Sequence, residues 1–150
     1  MPKLLTFGVC RQAIINHDDG AVSLINLISS VTIQRQPDQV VPIDANSPFD
    51  WAAAAVWLRL DGDEGKTFEQ LSQLISPNGD TIELGKSIFG MDTKVVSNTL
   101  RAQGFPIGQV GIVTLKVDLR GMGEQVWTTF AEYPLEVIHQ IQEEEPIVTG

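Results

Sequence analysis

The chain has one cysteine, two histidines, and ten Lys plus Arg against nineteen Asp plus Glu. A lone Cys10 cannot close an intramolecular disulfide, and cysteine usage this low fits a reducing compartment or one indifferent to redox. His17 and His139 with one cysteine fall short of the ligand set of a structural zinc site. A net charge of −9 and a pI near 4.5 repel phosphate backbones and anionic membrane surfaces, so neither nucleic acid nor a membrane is an expected partner. Apolar runs stay far below the ~20 residues of a bilayer-crossing helix. Met1 to Cys10 offers only Lys3 and a short apolar stretch without a small-residue cleavage site, and Val9 stands where a lipobox needs a small residue. The expected localisation is cytoplasmic.

Motifs that carry chemistry are equally sparse. There is no Gly-x-Ser-x-Gly elbow for a serine nucleophile. Gly85-Lys86-Ser87 ends like a phosphate-binding loop, but Asp80 occupies the place of the first required glycine, and Ile82, Leu84 and Ile88 read as a strand. Asp61-Gly62-Asp63-Glu64-Gly65 crowds three carboxylates together. An EF-hand read from Asp61 would need glycine and glutamate where Lys66 and Ser72 stand, so the closing bidentate ligand is missing.

What is present is a strand-rich chain of one domain's length. Its 150 residues are 43% apolar and 19% charged, which suits a packed globule with no second core. Leu4 to Ile15 is apolar and β-branched and meets the turn formers Asn16 to Gly20; Ala21 to Gln34 then reads as a second strand, apolar on both faces. Pro37 and Pro42 bracket an extended crossing. Phe49 to Leu60 holds four consecutive alanines that favour helix, yet Trp51 and Trp57 share one parity and Val56, Leu58 and Leu60 the other, so strand is expected.

Phe68 to Ile75 and Thr81 to Phe89 flank Asn78-Gly79, a strong hairpin signal. Asp92 to Gln103 fits both periods, with strand favoured by β-branched content. Gly111 to Leu119 alternates most cleanly, with Val113, Leu115, Val117 and Leu119 inward; Gln125 to Glu132 and Leu135 to His139 complete the set. About eight short strands separated by turns, with little helix, predict an all-β fold: an antiparallel two-sheet sandwich over residues 1–142. Residues 143–150, with Glu143, Glu144 and Glu145 ahead of Pro146, are expected to be an acidic tail.

Cys10-Arg11-Gln12, Asp18-Asp19-Gly20 and Ser23-Leu24-Ile25-Asn26-Leu27, followed by Ser76-Pro77-Asn78-Gly79 and by Phe105-Pro106 ahead of Gly111, together resemble an uncharacterised bacterial family, a domain of unknown function. The resemblance spans most of the chain. It implies an immunoglobulin-like or C2-like sandwich, and it brings no catalytic residues with it.

Three functions are then in competition. A non-catalytic module that binds a protein partner, or self-associates through its sheet edges, requires no motif and is the leading expectation, with no cofactor. A ligand-binding module would use calcium at Asp61, Asp63 and Glu64, helped by Asp18 and Asp19 if the two loops meet, or a glycan stacked on Trp51, Trp57 or Trp127. A hydrolase would have to be built on Cys10 or His139.

Overall fold

The computed structural model describes residues 1–16, 18, 19 and 21–142. The Gly20 turn, His17 and the expected acidic tail lie outside the described residues. Among those described there are nine strands and no helix: β1 (Lys3–Ile15), β2 (Val22–Leu27), β3 (Ser30–Arg35), β4 (Asn46–Leu58), β5 (Thr67–Ile75), β6 (Thr81–Gly90), β7 (Val95–Pro106), β8 (Gly111–Gly121) and β9 (Thr128–Ile141). One sheet runs β2-β1-β4-β7 and the other β3-β9-β8-β5-β6. The chain crosses from sheet to sheet after β2, β3, β4, β6 and β7, the Greek-key path of immunoglobulin-like sandwiches. All pairings are antiparallel except β3 with β9, which run side by side from Ser30↔Glu136 to Arg35↔Ile141.

The alanine run shows why this is a strand and not a helix. Every residue from Trp51 to Ala55 is buried, because β4 lies between β1 and β7 and is covered on both faces. Trp51 and Ala53 enter the core between the sheets with Val9, Leu74, Phe105, Leu115 and Val137. Ala55 and Trp57 continue it against Phe68, Met91, Val117 and Leu119. Ala52 and Ala54 face the other way, against Cys10 and Ala13, with Val22 and Leu24 of β2 packed over them. Methyl side chains suit that thin outer layer, so helix propensity yields to tertiary packing.

Two expected boundaries are corrected. Ala21 to Gln34 is two strands: Asn26 takes a left-handed conformation at φ 57°, Ile28 is buried with its N–H bonded to Val9 O at 2.8 Å, and the chain changes sheets there. Apolar residues on both faces of that segment reflect this crossing. Conversely, the two last expected strands are one, β9, which runs through Pro134. Glu136 N–H points toward the β3 side, bonding Ser29 O at 3.0 Å, and Pro134 lies two residues before that first β3 contact. The proline therefore deletes a donor where no neighbouring strand would receive it.

Candidate interaction edge and cleft

Trp51 and Trp57 are structural. Trp51 is 1% and Trp57 0% exposed, so neither offers a face to a sugar, and the glycan platform expected of them is corrected. Trp51 Nε1 donates to Gly104 O at 2.8 Å, and Trp57 Nε1 donates to Gln70 Oε1 at 2.9 Å. Trp57 also stacks on Phe89 and meets Phe130 edge-on, with ring centres 6.0 and 5.0 Å apart. Trp127 is half-buried with the Arg120 guanidinium 4.1 Å above its ring, and Arg120 in turn donates to Glu69 Oε2 from Nε at 2.9 Å. The cation takes up one aromatic face.

The calcium arrangement also comes apart. Asp63 is buried, with Oδ1 3.1 Å from the Met1 ammonium and Oδ2 accepting the Leu60 N–H at 3.2 Å. Each carboxylate oxygen therefore already has a partner, one at the N-terminus and one in the turn. Asp61 and Glu64 are exposed. Asp18 and Asp19 are exposed too, and Asp19 lines a hollow with Thr6, Val56 and Val95. Among the described residues no three or more His, Cys, Asp or Glu are gathered around one possible cation position.

Cys10 and His139 do not form a dyad. Cys10 lies in β1, buried beneath β2, while His139 lies in β9 of the other sheet with Nε2 against Ile107 O. Burial pushes the Cys10 thiol pKa up, and backbone hydrogen bonds near Gln12 and Ile25 only partly offset this. A raised thiol pKa favours the neutral folded form, so this contribution to stability is complete below the ordinary thiol pKa of about 8.5 and lost as pH rises above it. Native protein at pH 7 is expected to resist a thiol-specific alkylating reagent for hours and to react fully in denaturant, as read by intact mass. Fast labelling of the native form would show that β2 does not cover Cys10.

The edge strands carry the signal that motif reading cannot. Among the described residues four strands have a free side: β2 and β7 in one sheet, β3 and β6 in the other. Three of them bear the features that keep edges apart: Arg35 in β3, Glu83 and Lys86 in β6, Arg101 and Pro106 in β7. The β2 sequence Val22-Ser23-Leu24-Ile25-Asn26-Leu27 has neither charge nor proline. Ile25 is 39% and Leu27 64% exposed, with Ile14 of the adjoining β1 at 44%. The left-handed Asn26 is its one irregularity and leaves four strand residues ahead of it.

On the other side of β1 the sheet splits. The β1–β4 ladder ends at Cys10↔Ala52 although β1 continues to Ile15 and β4 begins at Asn46. A cleft of about 650 Å³ opens there, lined among others by Arg11, Gln12, Asp50, Trp51, Arg101 and Gln103. The Arg11 guanidinium lies 3.9 Å over the Phe49 ring, and Arg101 Nη2 points at Ala13 O, 3.5 Å away. No local pattern in the sequence marks either arginine, because β1 and β7 bring them together from distant parts of the chain.

No family model matches this chain, and no curated protein matches it. Among solved structures, it is similar to a family 123 glycoside hydrolase from Clostridium perfringens, described for glycolipid glycan hydrolysis, at 13% identity and a TM-score of 0.39. The match covers 92% of this chain and 28% of that one, so the chain spans well under a third of that protein. A likeness of this size bears on neither family nor activity. No helix among the described residues is long and apolar enough to cross a membrane.

Proposed function

We propose that the protein is a non-catalytic interaction module that associates with a second copy of itself through the free edge of β2. The observation that carries this reading is the contrast among the four edges: β2 alone combines exposed apolar side chains with no charge and no proline. An unguarded edge presents a row of backbone donors and acceptors to another strand, and Ile25, Leu27 and Ile14 add apolar surface beside it. A two-fold pairing of β2 with β2 of another copy closes on itself, so it makes a dimer and not a fibre.

Light scattering after size exclusion, across a concentration series, tests the proposal. The native chain is expected to shift from monomer toward dimer as concentration rises. Leu27→Lys puts a charge on each side of the two-fold and is expected to hold the protein monomeric with its melting temperature changed little, because Leu27 is exposed. A native monomer at every concentration, or a Leu27→Lys dimer, would overturn the reading.

A further inference from the structure

We infer that the cleft between β1 and β4 is a binding site for a small organic acid, one that carries a hydroxyl or ammonium group beside its carboxylate. The cleft is a different surface from the β2 edge, lying on the opposite side of β1. Its volume of about 650 Å³ lies within the range of small-molecule sites.

Charge identifies the ligand class. The chain has ten cationic side chains against nineteen acidic ones, yet two of its five arginines face this one opening. Among the described residues neither Arg11 nor Arg101 has a carboxylate within 4.0 Å, whereas Arg120 is paired with Glu69. Both guanidinium groups are also positioned ahead of any ligand. The Arg11 guanidinium carbon sits 3.9 Å over the Phe49 ring, and Arg101 reaches across β4 toward the Ala13 carbonyl. A planar fork of donors matches a carboxylate in two parallel hydrogen bonds, and prior placement reduces the entropy lost when the ligand arrives.

Asp50 gives the second half of the specification. A carboxylate lining the same cleft repels a bare anion but accepts from a hydroxyl or ammonium, so it favours a hydroxy or amino acid over a plain dicarboxylate. The Gln12 and Gln103 amides supply donors and acceptors at the rim, and Trp51 and Ala52 close the floor between the polar groups.

Isothermal titration with L-malate, succinate and inorganic phosphate separates these terms, since malate and succinate differ by one hydroxyl. Malate is expected to bind with a Kd near or below about 1 mM and at least about tenfold tighter than either of the others. Arg101→Gln and Arg11→Gln are each expected to weaken malate at least about tenfold, while Asp50→Asn brings malate and succinate together. All three residues are exposed, so unchanged melting temperatures would separate loss of binding from loss of fold. Repeating the titration on Leu27→Lys keeps this result independent of self-association. No heat from any probe, equal binding of malate and succinate, tighter binding of phosphate, or full binding by Arg101→Gln would overturn the assignment.

Discussion

Trp57→Ala is expected to lower the unfolding free energy by about 3–5 kcal/mol, the range for a fully buried aromatic. Its indole is 0% exposed, stacked on Phe89 and edge-on to Phe130, and its N–H serves a buried glutamine. Removal leaves a cavity and also strands Gln70 Oε1, which has little access to water. For a chain of this size the loss corresponds to a fall in melting temperature of roughly 6–20 °C. Trp57→Phe separates the two contributions, because it keeps most of the ring and removes the donor. Its expected loss is about 1–3 kcal/mol, the penalty for an unsatisfied buried acceptor. Urea denaturation of the three proteins measures both. If Trp57 were a surface platform, the alanine variant would unfold within about 0.5 kcal/mol of the native protein.

Gly108→Ala is the second large effect. Gly108 lies between β7 and β8, where a methyl group would overlap the carbonyls of Ile43 and Pro42. Those are backbone atoms of the β3–β4 crossing and cannot rotate aside as a side chain would. The same two loops are joined by Ile107 N–H to Ala45 O at 2.9 Å, so any shift also strains that bond and the start of β4. A loss of about 2–3 kcal/mol is expected, at the upper end for overpacking. Gly62→Ala is the control: its φ is +90° with open space around the site, and the strain of that backbone conformation alone is worth about 1–2 kcal/mol. Chemical denaturation that ranks Gly62→Ala as the more damaging change would contradict the close approach of the two loops.

Much of this fold can be read from the chain, and the reasons differ from element to element. The alternation at Val113, Leu115, Val117 and Leu119 is legible because β8 has one face on the core, and these four side chains are 0 or 1% exposed. The Asn78-Gly79 hairpin is legible because its turn chemistry is local: Gly79 supplies φ +93°, and Asn78 Oδ1 accepts the Asp80 N–H at 3.0 Å. The break between β2 and β3 is hidden, since Ile28 is as apolar as its neighbours and marks a change of sheet that only long-range packing decides. Asp63 looks like a cation ligand by composition and is in fact a buried turn acceptor for Met1 and Leu60. The arginine cleft is the least legible part, since it exists only where β1 leaves β4. In contrast, the unguarded edge was written in Val22 to Leu27 as a run without charge, but its significance depends on knowing that β2 is terminal in its sheet.

The self-association reading rests on one strand, and amide hydrogen exchange across Val22–Leu27 at low and high protein concentration examines that strand directly. The outward amides of a free edge exchange fast, and those paired with another chain are protected. Protection is expected to rise with concentration in β2, to stay constant in β3, β6 and β7, and to be independent of concentration in Leu27→Lys. Identical exchange in β2 at both concentrations, or new protection confined to another edge, would contradict the account.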